Sequence, residues 1–506
     1  MITAYTGSAV RAAEKPLLDR GAGDALMARA AYGLASAAIR EMHGLKLRLY
    51  GGSAVVLVGK GNNGGDGLYA GALLRRRGMR TTAILTADEA HPGGMAAFSA
   101  AGGIILRTSE CSTAELALLC SRADVLIDAV LGTGARGGLR GPVAELVEAV
   151  AADPPGLVLA CDVPSGVNAD TGEADGPVLP ATLTVTFGAA KSGLLTDPGA
   201  DYAGRIDVIP IGIEPFLREP TLLRLEPADL ARLLPQPGRR SHKYSRGVLG
   251  IVAGTGSYPG AAVLACQGAL AAGVGMVRYL GPPSVAALVN QACPEVVCST
   301  GDVADAHVQA WLVGPGLVPA GPDGPDAGSE DALQLARARD AVASGLPVVV
   351  DAGALPGLPP TLGPQAVLTP HAGELATLLT RLGHKTERAA VEHSPFVTVR
   401  RAADITGATV LLKGATTLIT EPGGTVFSQS EGTPWMATAG SGDVLAGILG
   451  ALLAQREPGN WAETGALAAS LHGLAGSLAS AGGPVTAVSI AAEVAAAWSK
   501  VSKLSN

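Results

Sequence analysis

Short apolar runs alternate along this chain with longer stretches of helical pattern. From residue 54 to about 213 the runs are AVVLV (54–58), TTAILT (81–86), DVLIDAVLG (124–132), GLVLACDV (156–163), ATLTVTF (181–187) and RIDVIPIGI (205–213). Runs of this length, bounded by Gly, Asp and Ser and separated by helical patterns, predict βαβ units and a doubly wound parallel sheet. The stretch 214–240 changes character. Pro215, Pro220, Pro227, Pro235 and Pro237 break it, and it ends in the basic run Arg239-Arg240-Ser241-His242-Lys243, which puts a domain boundary near residues 214–224. The alternation restarts with GVLGIVAG (247–254) and the helical GAAVLACQGALAAG (260–273), then AWLVGPG (310–316), LPVVVDAG (346–353), AVLTPH (366–371), ATVLLKG (408–414) and TTLIT (416–420). A long Ala/Leu-rich helix then begins beside Gly442 and Asp443. No repeat relates the halves, so two unlike α/β domains are predicted.

Length and composition agree with that layout. A chain of 506 residues is too long for one ordinary core, and 48% hydrophobic residues with 69 glycines and only 16% charge describe a compact soluble α/β enzyme. The net charge of -7, from 37 Lys and Arg against 44 Asp and Glu without long runs, argues against nucleic acid as a partner. MITAYTGSAVRAAEKPL is no secretion signal and the Ala-rich segments are too interrupted to span a membrane, so a cytoplasmic protein is expected. Cys111, Cys120, Cys161, Cys266, Cys293 and Cys298 show no CxxC and no His/Cys ligand spacing, and read as small interior residues.

Candidate chemistry in the first half clusters after strands. GKGNNGGDG (59–67) follows the run 54–58 and precedes a helical pattern, a turn that presents bare N–H groups to phosphate. Gly59, Gly61, Gly64 and Gly65 permit positive φ and close ligand approach, and Asn62, Asn63 and Asp66 add polar contacts. LGTGARGG (131–138) and DVPSGVNADTG (162–172) also follow strand candidates. Asp128 in the third strand, and Asp162 and Ser165 past the next, are placed to converge with Asn63 at one sheet edge. Such oxygen-rich clusters hold hard cations or do acid–base work; helix capping is the plainer alternative. GNNGGDG, DxPSG and DTG together resemble the YjeF N-terminal domain family, the NAD(P)H-hydrate epimerases. The resemblance runs to residue 216 and implies a Rossmann-like domain over 1–216. It further implies that Asn62, Asn63, Gly64, Gly65, Asp66, Gly132, Thr133, Gly134, Ala135, Arg136, Gly137, Gly138 and Asp162 line the hydrated-nucleotide site. Asn63, Asp128 and Ser165 would bind K+, and Asp162 would be the acid–base residue. Leu26-Met27-Ala28-Arg29-Ala30-Ala31 stands where the family has Leu-Met-Glu-Asn-Ala-Gly.

In the second half, ATAGSGDVLAGILGALLAQ (437–455) puts a Gly-rich turn at a helix start with Asp443 at its mouth. Helix N–H groups there would stabilise a phosphoryl group in flight, and the carboxylate would take a proton from an attacking hydroxyl. A Gly-Asp helix cap is the alternative, but four small residues (Ala439, Gly440, Ser441, Gly442) stand where one would cap. TPHAGE (369–374) offers His371 and Glu374. LLKGATT (411–417) offers Lys413, Thr416 and Thr417 in a strand–turn–strand suited to a nucleotide, although Lys413 alone reads as a solvated surface lysine. With HK (242–243), YPGAA (258–262), AAGVGMV (271–277), PE (294–295) and VGPGL (313–317), this set resembles the ribokinase-like superfamily and, within it, the ADP-dependent NAD(P)H-hydrate dehydratases. The resemblance implies a ribokinase-like α/β domain over 225–503. Substrate contacts would fall to Ala262, Gly316, His371 and Asp443, and adenine-nucleotide contacts to Lys413, Gly414, Ala415, Thr416, Thr417 and Gly442. HKYSRG (242–247) and AGTGS (253–257) depart from the family pattern.

Taken together, the resemblances imply a bifunctional repair enzyme for NADHX and NADPHX, the hydrated forms of NADH and NADPH. One half would interconvert their R and S epimers, and the other would dehydrate the S epimer. Asp443 would activate the C6 hydroxyl for attack on ADP, releasing AMP and then phosphate with help from Mg2+. The implied protein is a homo-oligomer without nucleic-acid or membrane partners. Two rivals stay open: a small-molecule kinase of the hydroxymethylpyrimidine or hydroxyethylthiazole type with a nucleotide-binding N-terminal module, and a first domain that only binds or scaffolds.

Overall fold

The computed structural model describes residues 1–135, 137–319 and 324–503. It divides into two compact units, one of Thr3–Leu222 and one running from Leu223 onward together with Met1 and Ile2.

The first unit is built on strands β1 (Ser53–Val58), β2 (Arg80–Leu85), β3 (Ile104–Arg107), β4 (Val125–Ala129), β5 (Val158–Cys161), β6 (Leu183–Phe187) and β7 (Arg205–Ile209). Their order is β3-β2-β1-β4-β5-β6-β7, and every pairing is parallel. The apolar runs lack alternation because both sheet faces are covered. Val56 and Val58 enter a core with Ala30, Leu34 and Ala38 of helix Gly23–Gly44, while Val55 and Leu57 enter another with Leu146, Val147 and Val150 of helix Pro142–Ala152. Each such Val or Leu, fully buried, contributes about 1.5–3 kcal/mol. Strand order reverses between β1 and β4, so the loops after these strands flank the crevice where open α/β sheets bind ligands.

The second unit uses β8 (Val248–Val252), β9 (Met276–Leu280), β10 (Val297–Ser299), β11 (Ala310–Val313), β12 (Val348–Val350), β13 (Ala366–Leu368), β14 (Thr409–Leu412), β15 (Thr417–Thr420) and β16 (Val426–Gln429). The order β10-β9-β8-β11-β12-β13-β14 is parallel, and β14-β15-β16 continues as an antiparallel meander. Helix Ser441–Gln455 packs on helix Pro259–Ala271 with backbones almost touching: a Cβ on Gly447 would lie 2.2 Å from the Ala265 carbonyl oxygen. That glycine contact seats the helix whose first turn carries Asp443.

Strands β3, β9, β10 and β16 lie outside the runs read from the sequence, as does the short pairing of Ala4 with Ala190 and Tyr5 with Lys191. The proline-rich stretch is partly ordered, because Pro227 occupies the first position of helix Pro227–Leu233, where its missing N–H costs nothing. Among the described residues no helix is long and apolar enough to cross a membrane.

Candidate active sites

In the first unit the helix starts earlier than a separate turn would allow: Asn62–Arg76 is helical, so Asn62 to Asp66 form its first turn. None of Gly59, Gly61, Gly64 and Gly65 has a positive φ. The expectation of positive φ is therefore corrected, and close approach is the reason for three of them. A Cβ on Gly59 would sit 1.9 Å from the Val130 oxygen, on Gly64 2.0 Å from the Gly59 oxygen, and on Gly65 2.8 Å from the His91 ring.

Across the crevice, Asn63 Nδ2 donates to the Leu131 carbonyl (2.9 Å), joining that helix to the loop after β4. Asp128, at the inner end of β4, is fully buried. Its carboxylate accepts from the Ser165 N–H (2.8 Å), the Ser165 hydroxyl (2.6 Å) and the Val130 N–H (3.3 Å), and Ser165 Oγ accepts from the Leu131 N–H (2.8 Å). Burial pushes the Asp128 carboxyl up, and the Ser165 bonds oppose the rise. Gly132 abuts Asn63, and Thr133 N–H donates to Asp162 Oδ2 (3.2 Å). Gly134 and Gly137 are exposed farther along this loop, with Ala135 between them, and Gly138 lies against the Asp175 carbonyl. Arg136 lies outside the described residues.

Asp162 is the best-determined group here. It sits at φ 71°, a strained value for a non-glycine residue, and is buried. Lys191, 1% exposed, donates to Asp162 Oδ1 (2.5 Å), Thr186 Oγ1 (2.9 Å) and the Phe187 carbonyl (2.9 Å), which uses all three of its N–H bonds. Thr186 Oγ1 also donates to Asp162 Oδ1 (3.1 Å). Burial disfavours the Asp162 charge, but the Lys191 ammonium and these bonds outweigh it and hold the carboxyl below its ordinary range. Asp66 behaves oppositely: burial, then the charges of Asp162 and Glu14, push it well up.

The second unit gathers its chemistry beyond β12, β13 and β14. Asp443 lies in the first turn of helix Ser441–Gln455, whose cap Gly440 (φ 85°) makes no side-chain cap bond. Burial and then the Asp351 charge raise Asp443 to about 7, against the pull of Lys413. Lys413 is not the solvated lysine that its position suggested. Its ammonium donates to Asp351 Oδ1 (2.8 Å), reaches Glu374 at 3.8 Å, and lies 3.4 Å from where a Cβ on Gly442 would be. Thr369 Oγ1 also donates to Asp351 Oδ1 (2.8 Å). His371 caps helix Ala372–Arg381, its Nδ1 accepting from the N–H groups of Gly373 and Glu374, and its Nε2 is 3.5 Å from Glu374. Gly414 and Ala415 form the exposed turn after Lys413, followed by buried Thr416 and by Thr417 at the start of β15.

Ala262 and Gly316 belong to a neighbouring cluster at the β8/β11 reversal. Gly316 (φ 66°) sits against Gly254 and Tyr258, and Thr255 Oγ1 donates to its carbonyl (3.0 Å). Ala262 is fully buried beneath Gly254. The same helix carries Leu264, against which Gly440 rests, so this cluster borders the start of the Asp443 helix.

The sequence reading missed Lys191, Asp351 and His472. His472 is buried beside the Ser441 hydroxyl (3.2 Å to Nε2), and burial lowers it to about 4. Lys191 left one usable signal, a lysine in AAKSG directly after an apolar strand. Asp351 ends LPVVVDAG as Asp162 ends GLVLACD, and the same rule applied to both would have found it.

Comparison with known proteins finds a separate family match in each half. A family model described as YjeF-related protein N-terminus matches residues 23–193, and one described as NAD(P)H-hydrate dehydratase matches residues 249–494. The chain is 41% identical over 464 residues to the bifunctional NAD(P)H-hydrate repair enzyme Nnr of Mycobacterium tuberculosis, covering 90% of this chain and 89% of that one. To the enzyme of the same name from Moorella thermoacetica it is 34% identical, covering 92% and 91%. Among solved structures, the ADP/ATP-dependent NAD(P)H-hydrate dehydratase of Bacillus subtilis, co-crystallised with ATP and Mg2+, is 24% identical with a TM-score of 0.47, covering 55% of this chain and 97% of that one.

Proposed function

The chain belongs to the family of bifunctional NAD(P)H-hydrate repair enzymes, and on that premise we propose how its residues divide the work. Residues 1–216 interconvert the R and S epimers of NADHX and NADPHX, and residues 225–503 dehydrate the S epimer with ADP, giving AMP and phosphate. The observation that carries this reading is that similarity to a whole bifunctional enzyme runs through both crevices at once. The cytoplasm, where reduced nicotinamide cofactors turn over, is its proposed location.

In the epimerase unit, N–H groups at the start of helix Asn62–Arg76 have no partner in their own helix and suit a substrate phosphate. Asp162, its carboxyl held low by Lys191, is a base able to take the proton of the water that adds at C6 of the hydrated ring. A monovalent cation fits beside it. Asp128 is buried and forms no ion pair among the described residues, Ser165 bonds to it, and Asn63 bonds the Leu131 carbonyl in the loop that follows it. These three residues would hold K+, whose charge would offset Asp128 and brace the loops that frame the substrate.

In the dehydratase unit, Asp443 accepts the proton of the C6 hydroxyl while the N–H groups of Gly442 and Asp443 at the helix start hold the charge that develops on the transferring phosphoryl group. Lys413, fixed by Asp351, places a positive charge beside Gly442, where nucleotide phosphates would pass. A Mg2+ ion would come with the nucleotide phosphates and neutralise their charge. The test is to supply pure S-NADHX with ADP and Mg2+ and follow NADH and AMP together. Their appearance in equal amounts is expected. A stable phosphorylated product without NADH would instead indicate a small-molecule kinase.

A further inference from the structure

We propose that Asp66 is the second acid–base residue of the epimerase site, protonating the hydroxyl that leaves C6 while Asp162 deprotonates the water that returns. The assignment rests on the epimerase reading above and adds a catalytic role to a residue so far treated as a contact.

Geometry singles out Asp66. It lies one helical turn inside helix Asn62–Arg76, is 9% exposed, and its Oδ1 is shut off from solvent with no hydrogen-bond partner among the described residues. A buried carboxylate oxygen without a donor is costly when ionised, whereas a protonated carboxyl carries its own donor and pays far less. The charged and titratable groups around it are Asp162 and Cys161 at the end of β5, Glu14 on helix Gly7–Leu18, and Lys191 after β6. Lys191 cannot settle Asp66 as a carboxylate, because its three N–H bonds already go to Asp162, Thr186 and Phe187. Two carboxyl groups thus act on each other, and the lysine that acts on both is hydrogen-bonded to Asp162. Environments that push two acids apart in this way assign the acid and the base.

The chemistry needs both. Asp66 gives its proton to the C6 hydroxyl, the C6–O bond breaks with its electron pair, and water leaves as the lone pair of the ring nitrogen forms a nitrogen–carbon double bond. Water then adds to the opposite face of C6, that π pair returns to nitrogen, and Asp162 takes the surplus proton. Transfer of that proton from Asp162 back to Asp66 resets the pair, so nothing is oxidised, reduced or consumed.

The experiment uses the full chain with R-NADHX, ADP withheld, and follows conversion to the S epimer above the spontaneous rate across pH. The parent should lose rate as pH falls through the Asp162 pKa and again as it rises through that of Asp66. Asp66→Asn keeps shape and a donor but has no proton to give, so kcat should fall about 10²-fold or more with KM little changed, and the alkaline fall should vanish. An Asn variant near the parent rate, or a slow one that keeps the same alkaline fall, overturns the proposal. If the variant does not fold, the parent profile decides, and a rate that stays level on the alkaline side overturns it. A parent that fails to interconvert the epimers at all overturns the epimerase reading itself and this assignment with it.

Discussion

Asp162 and Asp443 show how one residue type is given opposite proton affinities by its surroundings. Asp162 is buried yet held low by Lys191, whereas Asp443 has no ion pair among the described residues and is raised to about 7. Asp162→Asn should abolish R-to-S conversion and leave dehydration of pure S epimer intact, as chromatography of the epimers with ADP withheld will show; an unchanged rate removes Asp162 from the acid–base role. Lys191→Met should move the acid limb of epimerisation to higher pH, because Asp162 loses the charge that holds its carboxyl down. An acid limb that stays in place in a folded variant means Lys191 only fills space. For Asp443 the sign runs the other way from an ordinary aspartate. The base works when ionised and its pKa is raised, so dehydratase kcat/KM should be full above about 7 and fall as pH drops through that value. Asp443→Asn should cost about 10² to 10⁴ in dehydration rate. Both acids were legible in the sequence because each ends a strand or opens a helix beside glycine. Lys191 was missed, since its one signal, a lysine directly after an apolar strand, does not say that the side chain turns inward to a carboxylate.

Among elements, buried parallel strands were the most readable, because residues facing two cores make unbroken apolar runs such as Ala54–Val58. The strands that escaped carry weaker signals. β3 is an edge strand with Ile104 exposed, β10 is a three-residue edge, and β9 holds Arg278 within a segment that reads as a glycine-rich motif. Glycines were readable as special but not for their reason: at Gly59 and Gly64 the backbone geometry is ordinary and the neighbours are too close for a side chain. Gly447 makes the same point for helix Ser441–Gln455. Gly447→Ala would drive a methyl into the Ala265 carbonyl, and a destabilisation of about 1–3 kcal/mol is expected from thermal unfolding, with dehydration slowed because the Asp443 helix shifts. An Ala variant as stable and as active as the parent would mean that this helix contact does not position Asp443.

At the scale of the whole molecule, two compact units each place their candidate residues beyond the carboxyl ends of parallel strands, and each crevice contains its own aspartate. The repair reading makes them consecutive: the first unit turns the epimer that the second cannot use into the one it can. The most direct test supplies mixed R and S NADHX with ADP and Mg2+ and follows the return of NADH, for the parent chain and for Asp162→Asn. The parent should convert both epimers completely, while Asp162→Asn should consume the S fraction at the parent rate and then slow to spontaneous epimerisation. Parent protein that stops at the S fraction, or returns no NADH, would contradict the account.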